Sequence, residues 1–122
     1  MAPAVRALRG ATTIDVDTPA QIEARVVELL KQMLQRNDVD HDDLISVIFT
    51  ATEDIVSTFP ATAARTYGLG DVPLICAREL SVDGGTPLCI RVLLHLMTER
   101  TRQELHHVYL EGARGLRDDL PD

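Results

Sequence analysis

The stretch Leu74-Ile-Cys-Ala-Arg-Glu-Leu-Ser-Val-Asp-Gly-Gly-Thr-Pro-Leu-Cys-Ile-Arg-Val-Leu-Leu-His95 decides how the rest of this chain is read. Two apolar runs flank Gly84-Gly85, and a Gly-Gly pair between such runs predicts a hairpin turn. Each run carries charge where a strand prefers none: Arg78 and Glu79 in the first, Arg91 in the second. Alternation puts Cys89, Arg91, Leu93, His95 and Met97 on one face, and Ile90, Val92, Leu94 and Leu96 on the other. Neither face is polar throughout, so both are expected to be largely covered by protein. A guanidinium in such a place needs a partner, because an unpaired buried charge is strongly unfavourable. Two readings stay open. One is a structural salt bridge, with Glu79 as partner; the other is a concave site where Arg91 meets an anion.

Working outward, residues 4–9 alternate loosely and predict a strand ended by Arg9, with Gly10-Ala-Thr-Thr13 as a turn that exposes it. Thr18-Pro-Ala-Gln21 is a helix start: Thr18 can cap, Pro19 suits the first helical position, and Gln21 can close a capping box. Ile22, Val26, Leu29, Leu30, Met33 and Leu34 recur at helical spacing as far as Asn37. A short helical turn over 40–44 precedes the β-branched strand Ile45–Thr52. Phe59-Pro60 opens a helix of small residues, 61–67, closed by Gly68, where small side chains permit close approach. Strands follow over 72–77 and 88–97, then a second capping box at Thr101-Arg-Gln-Glu104 and a last strand over 106–111. Tyr109 sits between Val108 and Leu110, so a buried ring is expected, with a hydroxyl that needs a partner.

The fold class is therefore α+β: a mixed β-sheet of about five strands with one long and one or two short helices. A single domain over residues 1–122 is expected, its core about 5–120, with a flexible C-terminal tail about 114–122. Two Phe, two Tyr and no Trp make a thin core, which favours support from subunit contacts.

Twelve Lys and Arg stand against 19 Asp and Glu, a net charge of −7, and no basic run exists. That argues against a nucleic-acid partner, and the lack of a basic amphipathic helix argues against a membrane partner. With no signal-like N-terminus and no 18-residue apolar span, a cytoplasmic protein is expected, its Cys76 and Cys89 reduced. No Gly-rich phosphate loop follows a strand, and His106-His107 has no third ligand at useful spacing. Arginines on apolar strands, one Glu among them and no nucleophile–base pair point to a multiply negative small molecule bound with little acid–base machinery.

Arg9-Gly-Ala-Thr-Thr13, Phe59-Pro-Ala61, Cys76-x-x-Glu79, Gly84-Gly85, Cys89-Ile-Arg-Val92 and His107-Val-Tyr-Leu110 occur in this order. Together they resemble the monofunctional bacterial chorismate mutases of the trimeric α/β-barrel class, from about Val5 to Leu120. The resemblance implies conversion of chorismate to prephenate on the route to phenylalanine and tyrosine, with no cofactor and no metal. It also implies a pseudo-α/β-barrel homotrimer with active sites between neighbouring subunits.

That rearrangement is pericyclic and needs no proton transfer. What helps is holding the folded conformer and stabilising charge as it develops on the ether oxygen. By resemblance, Arg91 donates to that oxygen and Glu79 accepts from the ring hydroxyl. Arg9 and Tyr109 hold the side-chain carboxylate, while Ile75, Cys76, Ala77 and Arg78 pass along the substrate. Phe59, Ala61 and Arg65 form the wall supplied by the adjacent subunit, and Arg117 in the tail helps close the site. Thr62 departs from the pattern, standing where some relatives carry a basic residue near the exposed ring carboxylate. The rival readings are a trimeric enamine/imine deaminase, against which the spaced motifs argue, and a non-catalytic sensor, which would not need Arg91 and Glu79 together.

Overall fold

The computed structural model describes residues 2–116, and its five strands form one mixed sheet in the order β3-β2-β4-β1-β5. These are β1 (Ala4–Thr13), β2 (Leu44–Ala51), β3 (Leu74–Arg78), β4 (Cys89–Thr98) and β5 (Val108–Tyr109). The long helix α1 (Pro19–Arg36) and the short α2 (Pro60–Ala64) complete the fold. β4 runs antiparallel to both β1 and β2, whereas β2–β3 and β1–β5 pair in parallel. The predicted α+β class and strand number hold.

Gly84-Gly85 does not close a hairpin. β3 and β4 run antiparallel on either side of β2, so the segment between them turns back past the end of β2 and joins strands that are not neighbours. Nor does the first strand stop at Arg9: it continues through Thr13, because Gly10–Thr13 stay in register with Val92–Cys89. The last strand is shorter than predicted, only Val108–Tyr109.

α1 begins where its signals place it. The Thr18 hydroxyl accepts from Gln21 N at 3.2 Å, with Pro19 at the first helical position. The capping box is only half formed, since Gln21 Oε1 accepts from the backbone of Asp15 and Val16 while Thr18 N donates to Val16 O. At the far end, buried Asn37 donates to Met33 O and His106 O, both at 2.8 Å, and accepts from His106 N at 2.6 Å. One side chain thus closes the helix and ties it to the segment entering β5. The second capping box, Thr101 with Glu104, is complete.

Ile22, Val26, Leu29, Leu30 and Met33 of α1 are fully buried with Leu8, Val47, Phe49, Ile90, Val92, Leu94 and Leu96 of the sheet. Each fully buried aliphatic or aromatic side chain contributes about 1.5–3 kcal/mol from removal of apolar surface. Gly10 makes this contact possible: a Cβ there would collide with Met33 Sδ and lie 3.2 Å from Leu29 Cδ1. Helix and sheet can close on each other because that position carries no side chain.

The helices cover one face of the sheet. Arg91, Leu93 and His95 of β4, on the other face, are half-buried, while Ile90, Val92, Leu94 and Leu96 are buried. The expectation that protein covers both faces therefore fails within one chain. The same alternation puts Arg9, Ala11, Ile48, Thr50, Ile75, Ala77 and Tyr109 on this open face.

Candidate active site

A concavity of about 290 Å³ opens on that face, lined by Arg9, Gly10, Ala11, Ile48, Thr50, Glu79, Arg91, Val92, Leu93 and Tyr109. Four of the residues singled out in the sequence, Arg9, Glu79, Arg91 and Tyr109, meet here from separate segments. Register explains the convergence. Ala11 pairs with Arg91 on one side and Tyr109 on the other, and Arg9 pairs with Leu93. Two cations and a phenol are thereby laid across three adjacent strands.

Glu79 arrives from the opposite edge. Its backbone N donates to Ala51 O at 3.0 Å, which extends the β2–β3 ladder one residue past β3. Its carboxylate Oε1 lies 3.6 Å from Arg91 Nε, with the two side chains 25% and 41% exposed. The pair is in range of Coulombic attraction but beyond hydrogen-bond length, so each partner keeps capacity for a ligand. Cys89 is buried next to this pair; burial raises its thiol pKa above the ordinary value, partly offset by the Arg91 charge. It stays a neutral thiol at physiological pH.

β5, at the sheet edge, is fixed to β1 at both of its ends. Arg9 N donates to His107 Nδ1 at 2.9 Å, Leu110 N to Ala11 O at 2.9 Å, and Gly112 N to Thr13 Oγ1 at 2.9 Å. These contacts place Tyr109 beside Arg9 even though only two residues of the strand pair.

The remaining sequence candidates divide. Ile75 and Ala77 share the open face with Glu79, and Ile75 is 61% exposed, but Cys76 and Arg78 alternate to the helix side. Cys76 packs against the core, and Arg78 Nη1 donates to Thr52 O at 2.6 Å and Ile55 O at 3.3 Å. Cys76, Ala77 and Arg78 line a separate groove of about 490 Å³ together with Phe59. Phe59 is 69% exposed. The loop before it is held by Asp17, which accepts from Val56 N, Ser57 N and Ser57 Oγ; these bonds, led by Val56, lower its carboxyl pKa.

Phe59, Ala61 and Arg65 do not line the concavity of their own chain. Arg65 is exposed, whereas Ala61 is buried in the core of its own chain. Thr62 is exposed and lines a groove with Pro19, Thr58 and Thr66. Arg117 lies outside the described residues.

Sequence reasoning missed Ala11, Ile48, Thr50 and Leu93 as lining residues. Alternation along β2 could have flagged Thr50, but only once the neighbouring strands were known. Among the described residues, no group of three or more His, Cys, Asp or Glu side chains could hold a metal ion, and no helix is long and apolar enough to cross a membrane.

Comparison with known proteins agrees with this geometry. Residues 5–120 match the family described as chorismate mutase type I. The chain is 47% identical over 117 residues to the chorismate mutase AroH of Thermus thermophilus, covering 95% of this chain and 96% of that one. It is 37% identical to the AroH of Bacillus subtilis (strain 168), covering 95% and 92%. Among solved structures, a chorismate mutase from Clostridium thermocellum superposes with a TM-score of 0.87 at 43% identity, covering 89% of this chain and 97% of that one. An open mixed sheet that presents cations and one carboxylate, with these matches along its length, identifies the class: the chain belongs to the type I chorismate mutase family. It is accordingly an isomerase of aromatic amino acid biosynthesis.

Proposed function

We propose that the chain rearranges chorismate to prephenate in the concavity of its open sheet face. The observation that carries this reading is the convergence of Arg9, Arg91, Tyr109 and Glu79 on one pocket from separate segments. Chorismate is a dicarboxylate, and two guanidiniums with a phenol suit it: Arg9 and Tyr109 take the side-chain carboxylate through directed, charge-assisted hydrogen bonds. Arg91 faces the ether oxygen as the C–O bond breaks and negative charge gathers there. A fixed cation in a site of low dielectric stabilises that charge more than water does. Glu79 accepts from the ring hydroxyl and faces the ring as it becomes electron-poor. No proton moves, so the pocket needs no acid–base pair.

The assembly is a homotrimer, with Phe59, Ala61 and Arg65 of a neighbouring subunit as the far wall. Two features support it: an open face whose concavity has protein on one side only, and a Phe59 ring that is 69% exposed. Ala61 would contribute its backbone, its side chain being buried in its own chain. Ile75, Ala77 and the backbone at Cys76 run along the substrate, and Arg78 steadies the loop that leads to Phe59. By the family resemblance, Arg117 is a further substrate-binding residue. The enzyme works in the cytoplasm on chorismate without a cofactor.

The test is direct. Purified protein mixed with chorismate should consume its ultraviolet absorbance, with prephenate recovered as the product. Unchanged chorismate at micromolar enzyme would defeat the proposal.

A further inference from the structure

We propose that Thr50 is the positioning residue for Arg91: its hydroxyl accepts the Nε–H of Arg91 and so aims the two terminal guanidinium nitrogens into the concavity. This rests on the reading of Arg91 as the cation that meets the ether oxygen.

Thr50 and Arg91 are direct cross-strand partners on the open face, where paired Cβ atoms stand about 4.5–5.5 Å apart. Both line the concavity. Arg91 Nε and Thr50 Oγ1 are each closed off from solvent, and neither has a hydrogen-bond partner. One can only donate and the other can accept. Buried polar groups are nearly always satisfied, and two complementary orphans on directly paired residues can satisfy each other by side-chain rotation. The lateral neighbour of Thr50 on its other side is Ala77, which offers no polar side chain.

The chemistry favours this acceptor over Glu79 and over the Cys89 thiol, which also reaches the Arg91 guanidinium but is a weak acceptor. Glu79 is the anion at Arg91 Nε, but at 3.6 Å it makes no hydrogen bond, and it is needed for the ring hydroxyl. A carboxylate bound tightly to Nε would also offset the positive charge that the ether oxygen requires. A neutral hydroxyl orients the guanidinium without neutralising it. Because Oγ1 is closed to solvent, it acts on its protein neighbour and not on the ligand.

Thr50→Val keeps the shape and β-branching and removes the hydroxyl; Thr50→Ser keeps the hydroxyl. The Val variant should lose about tenfold in kcat with little change in KM, the scale of one hydrogen bond in the transition state. The Ser variant should recover most of that loss. In an Arg91→Lys background, which has no Nε–H, Thr50→Val should cost nothing further. If the Val variant does not fold, Thr50→Ala serves the same comparison.

A readout independent of turnover is the Arg91 Nε–H resonance in 15N-labelled protein, assigned by its loss in Arg91→Lys. With prephenate added, it should exchange with water more slowly in wild type and Thr50→Ser than in Thr50→Val. Equal exchange in all three would overturn the assignment. So would full activity in Thr50→Val, or an equal loss in the Arg91→Lys background. A wild-type protein without mutase activity counts against the function proposed above, while the exchange measurement still decides the role of Thr50.

Discussion

The guanidinium Nε of Arg91 and the carboxylate of Glu79 face each other at 3.6 Å, too far for a hydrogen bond and too close to be independent. Neither is deeply buried, and such a pair adds little to stability. Its use lies in what each group still has to offer: a charge of known sign at a known place on a sheet face.

Arg91 should therefore matter more to the transition state than to binding. Replacement by citrulline keeps the outline and some of the donors but removes the charge. We expect kcat to fall by roughly a hundredfold or more, as when a preorganised donor is lost, with a much smaller change in KM. Arg91→Lys, which keeps charge but loses the fork of donors, should remain impaired. Survival of kcat with a raised KM would make Arg91 a carboxylate anchor instead.

Shared sites predict complementation. Arg91→Ala and Arg65→Ala subunits should each be weak alone. Mixed and reassembled, they should regain some activity through sites with an intact Arg91 from one chain and an intact Arg65 from the next. Light scattering that finds only monomer at working concentration would count decisively against this arrangement.

Turnover should vary little with pH across the neutral range, because the rearrangement transfers no proton and arginine carries its charge throughout. A bell-shaped kcat profile with a limb near neutrality would instead implicate a histidine, His106 or His107 first, and contradict the mechanism.

Stability has a separate pH dependence far from the site. His41 Nε2 lies 2.8 Å from Asp71 Oδ1, and hydrogen bonding and charge from Asp71, helped by Asp42, raise the His41 pKa above its ordinary 6.5. The folded protein holds this proton more tightly than the unfolded chain, so the stabilisation is full below about pH 6.5 and disappears as pH rises through the folded value. Asp71→Asn should lower Tm at pH 5.5 and leave it nearly unchanged at pH 9. An equal loss at both would mean that the contact is not electrostatic.

Gly10→Ala should destabilise the protein by about 1–3 kcal/mol, the usual penalty for forcing volume into a packed core. Met33 is flexible and can yield, so the variant should fold. In a Met33→Ala background the Gly10→Ala change should cost less than it does in wild type, because the clashing side chain is gone. Urea denaturation of the single and double variants measures both, and additive losses would refute the steric account.

Local signals carried much of the fold. Thr18 and Pro19 start α1, Asn37 ends it, and the apolar spacing between them marks the buried stripe, because caps and periodicity depend on residues a few positions apart. Arg9, Glu79 and Arg91 were likewise legible as ions on apolar strands that pointed to an anionic ligand, Tyr109 only as a ring whose hydroxyl needed a partner, and the family resemblance assigned their roles. What chain order left open was adjacency. The Gly84-Gly85 turn joins strands that are not neighbours, since β2 lies between them, and Arg9 continues a strand that seemed to end because β4 extends the ladder past it. Thr50 passed as an ordinary β-branched residue until register set it opposite Arg91. Backbone pairing between distant segments is selected by packing of the whole sheet against α1, and it is that long-range choice which turns scattered charges into one pocket.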